Sequence, residues 1–570
     1  MLKTRKGLEN SIIILTLVAI VAIVLIVGIV KLHNNKTADL TIPAEELENL
    51  KGQADKNIPF CQQSQNPKKP NIIFILVDDL SEKEVGYLPG IKRLLQDQGT
   101  TFKNFYIPNS QCCPSRASIL RGQYSHNTKI MLNGNKWAQT TGVTGGYATF
   151  KTLNLEDSTV AVWLHDTGYK TMLAGKYMNG YEDYGNGTFR NYIPPGWDEW
   201  YAGLHGIYQG FNYSLNENGN IVFYGDSEDS FLADVLTRKT VNFISQSGTS
   251  PFFIYLAPTN PHGPYPVAPR HANSFSFLNI PNSPSFQESD VSDKPSWIRT
   301  LMPANMQAKN AGVSKIEIDS DMPNSQQAFV IDYHKRLQSM LSVEDMVREL
   351  IKILRNTCKL DNTYIFLASD NGYHFGEHWL PPGKGTLYEE DVRVPLIVRG
   401  PGVEAGKTLT HYVLNSDLAP TFADIAGVEI PSFVDGKSFK PILQNAPLFN
   451  DTLKWRRRVL LERWNDNIIG HPPDVFGIRT IGYMYANYTT GEEEFYVMDG
   501  SLYNDPYQTN SRHNDSSVAW IVQRQRMFLS KLKNCTGQSC RDAELLTLRK
   551  LYPNIPPNQL PVGPAGETND

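Results

Sequence analysis

The sequence predicts an α/β fold in which helices sandwich a mostly parallel sheet, with a smaller C-terminal α+β subdomain and an N-terminal transmembrane helix. Two continuous apolar, β-branched runs, Asn71–Val77 and Thr363–Ser369, have the composition of strands buried in a parallel sheet. A helical period precedes the second run, with one apolar face formed by Met340, Val343, Val347, Leu350 and Leu354. Strands that alternate with helices favour a parallel sheet.

Residues 1–68 precede the predicted sheet. Basic residues occur within residues 1–10, and an uncharged apolar run follows over residues 11–30. About 20 helical residues cross a hydrocarbon core of roughly 30 Å. We therefore predict a cytoplasmic N-terminus at 1–10, an uncleaved single-pass membrane anchor at 11–30 and a linker at 31–68, with the rest of the chain outside the cytoplasm. The alternative is secretion after cleavage of a signal peptide.

The chain changes character after about Gly427. Short strand-like pieces, GYMYANYT and EEFYVMD, come before a helix predicted from about Ser517 to Leu532. A Pro-rich stretch, YPNIPPNQLPVGPAG, lies close to the C-terminus. We therefore predict a large domain at 69–427, a subdomain at 428–545 and a Pro-rich tail at 546–570.

Composition limits the possible partners. The 54 Lys+Arg nearly balance the 58 Asp+Glu, so no basic surface is indicated and we expect no nucleic-acid partner.

Six cysteines are few for an external protein. Cys535 and Cys540 suit a local bridge, whereas the partners of Cys61 and Cys358 stay open. Sequons compatible with an external glycoprotein occur at Asn35, Asn186, Asn212, Asn450, Asn487, Asn514 and Asn534.

Two polar pairs follow the two predicted strands. Asp78 and Asp79 come directly after the first strand, and Asp370 and Asn371 come directly after the second. Ligands in such sheets bind beyond the carboxyl ends of the strands, so the two pairs are expected at one edge. Four oxygen ligands of this kind suit calcium or magnesium. The alternative is that all four are ordinary turn residues.

The segment Cys112-Cys113-Pro114-Ser115-Arg116 is a candidate for the chemistry. Proline suits the first turn of a helix, which places the first cysteine just before a positively charged helix end. This position favours a thiolate nucleophile. The alternative is a buried structural cysteine.

Residues 112–122 resemble the maturation motif of the formylglycine-dependent sulfatases, a family that includes arylsulfatases and N-acetylglucosamine-6-sulfatases. That motif is Cys-x-Pro-Ser-Arg, continued by Leu-Thr-Gly. Its matching residues are Cys112, Pro114, Ser115, Arg116, Leu120 and Gly122. Arg121 replaces the threonine, and Cys113 does not fit because the proline would then be one position too close. The family belongs to the alkaline-phosphatase-like superfamily, so the resemblance implies that fold and a catalytic domain at 69–427.

Further blocks resemble the family in its order along the chain, from about residue 70 to residue 540. They are Gly168-Tyr169-Lys170-Thr171, Gly175-Lys176-Tyr177, Pro261-His262-Gly263-Pro264, Ser369-Asp370-Asn371-Gly372-Tyr373-His374, Gly383-Lys384, Tyr388-Glu389, Arg393-Val394-Pro395, Asp417-Leu418-Ala419-Pro420-Thr421 and Asp435-Gly436-Lys437-Ser438. A single short motif arises by accident more easily than an ordered series of this length.

The resemblance implies a sulfuric ester hydrolase. Cys112 is expected to be oxidised to formylglycine (3-oxoalanine) by a formylglycine-generating enzyme, and the aldehyde hydrate then attacks the sulfur of an organic sulfate ester. Calcium is the implied metal, because it polarises the sulfate oxygens. Its expected ligands are Asp78, Asp79, Cys112, Asp370 and Asn371. The expected substrate is a sulfated small molecule or glycan, and the resemblance leaves its identity open.

The remaining site residues are basic. Arg116, Lys176 and Lys384 are expected to neutralise charge on the transferring sulfuryl group. His262 is expected to protonate the leaving alcohol. Of these, Lys176, His262 and Lys384 are also expected to contact the substrate. A solvated surface charge is the alternative for each lysine taken singly.

Some features of the sequence leave alternatives open. Met178 stands where arylsulfatases carry a histidine, so the group that promotes sulfate release is unassigned; His374 and His378 are candidates, with a structural role as the alternative. Aromatic residues over 177–201 form either a substrate wall or part of the core. A phosphatase of the same superfamily and a non-catalytic glycan-binding protein are the competing functions.

Overall fold

The structure is a computed structural model that describes residues 69–134, 143–278, 283–301, 326–447, 452–468, 471–499, 503–547 and 550. The predicted cytoplasmic segment, membrane anchor and linker lie outside these residues, as does nearly all of the predicted tail. Within the described part of the chain, no helix combines the length and the apolar character that crossing a membrane requires.

A ten-stranded sheet forms the centre of the fold. Its strands are β1 (Asn71–Val77), β2 (Thr100–Tyr106), β3 (Lys170–Gly175), β4 (Glu199–Gly203), β5 (Tyr213–Glu217), β6 (Asn220–Tyr224), β7 (Phe252–Ala257), β8 (Thr363–Ser369), β9 (Arg393–Arg399) and β10 (Lys407–Leu414). Their order in space is β10-β2-β9-β8-β1-β7-β3-β4-β5-β6. In this sheet only β5 and β9 run antiparallel to the other strands. The predicted parallel sheet is confirmed, and β1 and β8 have the predicted bounds.

Helices cover both faces of this sheet. The α-helices of six or more residues in the described part of the chain are α1 (Cys112–Arg121), α2 (Gly146–Thr152), α3 (Val160–His165), α4 (Leu232–Gln246), α5 (Gln326–Asn356), α6 (Leu418–Ala426), α7 (Ala519–Leu532) and α8 (Gln538–Glu544). Of these, α7 and α8 pack in the core of a second, C-terminal sheet. Alternate β1 residues point to opposite faces: Phe74 packs in one core with α3 and α6, and Ile75 packs in a second core with α4 and α5. Burial on both faces explains why the β1 sequence is apolar throughout.

The predicted helical face on α5 lies entirely in the second core. Its members Met340, Val343, Val347, Leu350 and Leu354 are all buried. In the 177–201 segment, Tyr181 and Trp200 are buried in the first core, which confirms the core interpretation for them. Phe189 of the same segment is exposed.

A second, four-stranded antiparallel sheet lies in the C-terminal part of the chain. Its strands are β11 (Arg458–Arg463), β12 (Val475–Thr480), β13 (Tyr483–Tyr488) and β14 (Glu493–Val497). Helix α7 shares a hydrophobic core with this sheet, so the predicted strand pieces and helix are confirmed. The expected local disulfide joins Cys535 and Cys540. The boundary placed between residues 427 and 428 stays a prediction.

A buried ion-pair network joins the C-terminal elements to the residues that precede α6. Arg456 is fully buried and donates to both carboxylate oxygens of Asp417, at 2.6 and 2.9 Å. Its Nε also donates to Glu544 Oε2 at 2.7 Å. Tyr124 donates to the other Glu544 oxygen at 2.8 Å. One guanidinium therefore neutralises two buried carboxylates that are far apart in sequence.

Replacing Arg456 by methionine is expected to destabilise the protein strongly, because Asp417 would stay buried without its charge partner and Glu544 would keep only Lys437, whose Nζ lies 3.5 Å away. Loss of one partner of a buried pair costs about 3–5 kcal/mol. Urea unfolding at pH 7 measures the change. Arg526→Met is the control, because Arg526 pairs with Glu493 with nearly half of its side chain exposed, and such pairs contribute about 0–1 kcal/mol. Equal losses for the two variants would contradict the assignment.

Candidate active site

Four adjacent parallel strands deliver polar residues to one edge of the large sheet. Asp370 and Asn371 follow β8, and Asp78 and Asp79 follow β1. His262 follows β7, and Lys176 follows β3. Backbone hydrogen bonds continue past the strand ends, from Asp370 to Val77, from Asp78 to Asn260 and from Lys176 to Ala257. The expected meeting of the two pairs at one edge is confirmed, because these bonds hold the strand ends in register.

Gly175, immediately before Lys176, permits this close alignment. Its φ is +108°, and a Cβ at this position would lie 2.0 Å from the carbonyl oxygen of Ala257. Any other residue would push β3 away from β7 or adopt a strained backbone. The glycine therefore brings the amine of Lys176 over the edge where the carboxylates lie.

Cys112 is the first residue of α1, and Gln111 is its N-cap. The sequence predicts a position for Cys112 just before the helix. In the structure the first turn begins two residues ahead of Pro114 and therefore includes Cys112. Cys112 Sγ lies 3.5 Å from Asp78 Oδ1 and 2.7 Å from Lys384 Nζ. The side chain of Cys113 instead lies in the hydrophobic core. Only Cys112 therefore faces the strand-end residues.

The Cys112 thiol is uncharged at neutral pH. Burial raises its pKa to about 12, and the negative charge of Asp78 acts in the same direction. The thiolate interpretation is therefore wrong for the unmodified side chain, since a reactive cysteine needs a lowered pKa. The position of the Sγ atom marks where a modified side chain would present its oxygen atoms.

Three basic side chains surround Cys112. Arg116 is fully buried and donates to Asp370 Oδ2 at 2.8 Å and to the backbone oxygen of Lys176 at 2.9 Å. Lys176 donates to Asp78 Oδ2 at 2.6 Å. Lys384 donates to Asp79 Oδ1. All three predicted basic residues thus lie at the site, and each donates a hydrogen bond to a carboxylate at the sheet edge.

The buried carboxylates remain ionised because of these neighbours. Burial alone would raise the pKa of Asp78, but the charges of Lys176, His262 and Lys384 outweigh it and hold the pKa below its ordinary value. For Asp79 the same balance holds, with Lys384 as the largest lowering charge. Among the described residues, three carboxyl groups and three basic side chains meet here, so groups of opposite charge already pair before any ligand binds.

His262 lies at the open side of the site. Its Nδ1 is 2.8 Å from the backbone oxygen of Gly263, so Nδ1 carries a hydrogen and donates it. Its Nε2 faces Asp79 Oδ2 at 3.6 Å. The ring packs on Tyr208 with 4.5 Å between ring centres, and Tyr208 also lies under Lys176. Nε2 is therefore the nitrogen available for proton transfer.

The residues at the edge fit a divalent cation. A carboxylate oxygen of Asp78, a carboxylate oxygen of Asp79, the Cys112 sulfur and a ring nitrogen of His262 all lie within 4.8 Å of one another. Asn371 Oδ1 is buried and finds no hydrogen-bond partner in the described part of the chain, whereas its Nδ2 donates to Asp79 Oδ1 at 2.6 Å. A buried carbonyl oxygen without a donor is the arrangement that a hard cation satisfies. This arrangement favours a cation site over the simple turn interpretation.

Arg336 and Glu84 support the site and were not found from the sequence. Arg336, on α5, donates to both Glu84 oxygens at 2.8 Å and to the backbone oxygen of Asp79 at 2.6 Å. Glu84 also accepts from the backbone and hydroxyl of Ser81 at 2.9 and 3.0 Å. The Ser81-to-Glu84 spacing is a capping-box signal in the sequence. Nothing local indicates Arg336, because its partners lie about 250 positions away.

The two candidate histidines for sulfate release have structural partners. His374 Nδ1 lies 2.9 Å from Asp391 Oδ1, and its backbone pairs with Gly383, the residue before Lys384. His378 Nδ1 lies 2.7 Å from Glu288, and its ring stacks on Tyr388. The structural alternative is thus supported for both. Met178 is buried in the core.

The comparisons with known proteins agree with this geometry. A family model described as Sulfatase matches residues 70–428 of the 570-residue chain. The chain belongs to the sulfatase family. It is therefore an enzyme that hydrolyses sulfate esters. A second family model, described as N-sulphoglucosamine sulphohydrolase, C-terminal, matches residues 376–535 of this sulfatase.

Individual relatives extend the match. The N-acetylglucosamine-6-sulfatase of Capra hircus is 32% identical over 83% of this chain and 85% of its own length. The extracellular sulfatase SULF-1 homolog of Drosophila melanogaster is 34% identical over 71% of this chain and 33% of its own length. A solved structure of a protein in complex with its substrate D-glucosamine-2-N,6-O-disulfate matches with a TM-score of 0.66 and 24% identity, covering 83% of this chain and 99% of that chain. This likeness shows the alkaline-phosphatase-like sulfatase fold.

Arg336→Lys is expected to weaken cation binding at the sheet edge, because lysine cannot hold Glu84 and the Asp79 carbonyl together. Changes to such supporting groups typically cost about 10–100-fold in metal affinity. Calorimetric titration of the metal-depleted protein with calcium measures the loss. Arg270→Lys is the matched control, since Arg270 forms exposed pairs with Asp234 and Asp345. An unchanged calcium affinity in Arg336→Lys would show that this contact does not position Asp79.

Proposed function

We propose that this sulfatase acts through a formylglycine made from Cys112 and assisted by calcium. The observation that carries the proposal is the position of Cys112 Sγ, 3.5 Å from Asp78 and 2.7 Å from Lys384, at the N-terminus of α1. The sulfatase maturation motif occupies the same residues. A formylglycine-generating enzyme would carry out the oxidation before or during folding, because the folded chain buries this side chain almost completely.

Asp78, Asp79, Asp370 and Asn371 would hold the cation, with the modified side chain of residue 112 as a further ligand. Calcium suits this set because every ligand atom is an oxygen and calcium tolerates irregular geometry. When bound, it supplies positive charge that polarises the sulfate oxygens and favours an ionised hydroxyl.

The chain's own residues provide the rest of the chemistry. The formylglycine hydrate supplies the hydroxyl that attacks sulfur and a second hydroxyl that later expels sulfate. Lys176, Lys384 and Arg116 lie around residue 112, where they neutralise the equatorial oxygens of the transferring sulfuryl group. His262 donates a proton from Nε2 to the leaving alcohol. Its packing on Tyr208 and its hydrogen bond to the Gly263 carbonyl fix the ring for this task.

The substrate class is a sulfated glycan or a sulfated small molecule. The Capra hircus relative is named an N-acetylglucosamine-6-sulfatase, and the matching solved structure holds a sulfated glucosamine. These names support a sulfated amino sugar as the substrate here.

We further propose that the catalytic domain at 69–427 works outside the cytoplasm. It would be anchored by residues 11–30, with secretion as the alternative. The Drosophila relative, an extracellular sulfatase, supports the external location. The sequon residues Asn212, Asn514 and Asn534 are exposed, which is compatible with a glycoprotein.

The purified protein is expected to cleave an aryl sulfate at least tenfold better, in kcat/KM, than the matching aryl phosphate. Cys112→Ala should abolish turnover of the aryl sulfate, because no other side chain can carry the aldehyde. Cys113→Ala is the matched control, since this side chain packs in the core and should keep activity within a few fold. Hydrolysis is followed by release of the coloured phenol.

A reversed preference for phosphate would contradict the proposed reaction. Retained activity in Cys112→Ala would mean that the nucleophile lies elsewhere. Circular dichroism of both variants shows whether the fold is intact.

A further inference from the structure

A cluster of polar side chains lies beside the catalytic residues at the end of β11. It consists of Arg463, Asp466, His471 and Gln111, and we call it the β11 cluster. Arg463 is fully buried and donates to Asp466 Oδ2 at 2.8 Å. His471 Nδ1 lies 2.9 Å from both Asp466 oxygens. Gln111 donates to Asp466 Oδ2 at 3.2 Å. Asp466 is therefore the centre on which the other three converge.

Two bonds attach the β11 cluster to the catalytic residues. Gln111 directly precedes Cys112 and is the N-cap of α1. Arg463 Nε donates at 3.0 Å to the carbonyl oxygen of Gly385, the residue after Lys384. The cluster is thus one residue along the chain from the nucleophile position and one residue from a sulfate-binding lysine.

Gly385 permits the close approach of the Arg463 guanidinium to the loop that carries Lys384. Its φ is +96°, and a Cβ there would lie 3.2 Å from Arg463 Nε. A larger residue would be strained at this φ and would crowd the guanidinium. The guanidinium and the Lys384 loop are therefore packed as one unit.

The β11 cluster has hydrogen-bonding capacity left over. Arg463 Nη1 and Gln111 Oε1 are buried and have no partner in the described ranges. A buried donor or acceptor that finds no partner destabilises the folded state. About a third of the His471 side chain is exposed, so the cluster opens to solvent at this end. A bound polar molecule would supply the missing partners.

Charge indicates what kind of molecule fits. The positive charge of Arg463 is cancelled by the negative charge of Asp466, which leaves no net charge to attract a second anion. Donors and acceptors alternate within a few ångströms: the guanidinium donates, the carboxylate and the amide oxygen accept, and imidazole does either. Neighbouring hydroxyl groups on a sugar ring donate and accept in the same alternating way.

We propose that the β11 cluster binds ring hydroxyls of a sulfated pyranose while its sulfate group occupies the site at Cys112. Arg463 Nη1 and Gln111 Oε1, the two atoms without partners, and the partly exposed imidazole of His471 donate and accept hydrogen bonds to the sugar. Asp466 holds these three side chains in place. The inference rests on the proposed function, because it assumes that sulfate binds beside Cys112. It makes this enzyme a sugar sulfatase rather than a general arylsulfatase.

Comparison of two substrates tests this inference. N-acetylglucosamine 6-sulfate offers ring hydroxyls, whereas 4-methylumbelliferyl sulfate offers only an aromatic ring. Asp466→Asn and His471→Ala are expected to lower kcat/KM for the sugar sulfate at least tenfold, mainly through KM, and to change kcat/KM for the aryl sulfate less than threefold. Asp515→Asn is the control, since Asp515 pairs with Arg512 away from the cluster. It should leave both substrates unchanged.

Several outcomes would overturn the inference. An equal loss on both substrates would show that the cluster only supports the Lys384 loop, and an unchanged kcat/KM for the sugar sulfate would show that the cluster does not touch it. Wild-type protein that cleaves the aryl sulfate but no sugar sulfate would refute the inference and leave the proposed function standing. Wild-type protein that cleaves neither substrate would refute the proposed function itself. The exposed position of His471 makes its variant the safer one for folding.

Discussion

The active site depends on the mutual neutralisation of carboxylates and bases that the fold buries at one edge of its sheet. Asp78 and Asp79 would each lose hydration energy on burial, and an isolated buried carboxylate would take up a proton instead. Lys176 and Lys384 prevent this by direct contact, and Arg116 pairs with Asp370 beside them. In the proposed mechanism the same bases also neutralise the sulfate ester. Binding a cation and a sulfate ester would therefore rearrange existing ion pairs instead of creating charge in an apolar interior.

Rigid elements hold each member of this network. Parallel strands fix the carboxylates, because their backbone hydrogen bonds continue into the residues after β1 and β8. Helix α1 fixes residue 112 and Arg116, and Asn415 Nδ2 donates to Ser115 within its first turn at 2.9 Å. The loop that carries Lys384 is held by His374 on one side and by Arg463 on the other. Residues next to the ten-stranded sheet and residues of the four-stranded sheet thus both contribute to the position of one lysine. Positioning of this kind is what electrostatic catalysis requires.

Local patterns in the sequence predicted the parts of the fold that depend on neighbouring residues. The apolar runs gave the bounds of β1 and β8, and the 3.6-residue period gave the buried face of α5. The convergence of the two acidic pairs followed from a general rule of parallel sheets. The family motif separated Cys112 from Cys113, and their positions in the site and in the core agree with that choice.

Local sequence patterns could not predict contacts between distant parts of the chain. Arg336 and Glu84 are about 250 positions apart, and Gln111 and Asp466 are about 350 apart. Each of these residues taken alone resembles a surface charge or a loop residue. Only the folded chain shows that they are buried and paired. The roles of His374 and His378 were open for the same reason, since their partners Asp391 and Glu288 are not marked by any motif.

The most direct test of the account is mass spectrometry of the peptide that contains residues 112 and 113, from protein produced in its native host. The account predicts that residue 112 carries an aldehyde in place of its thiol, that labelling with an aldehyde-specific hydrazide occurs there, and that residue 113 remains an ordinary cysteine. An unmodified thiol at residue 112 in fully active protein would contradict the account. Burial raises the pKa of that thiol, so an unmodified residue 112 would offer no nucleophile at neutral pH.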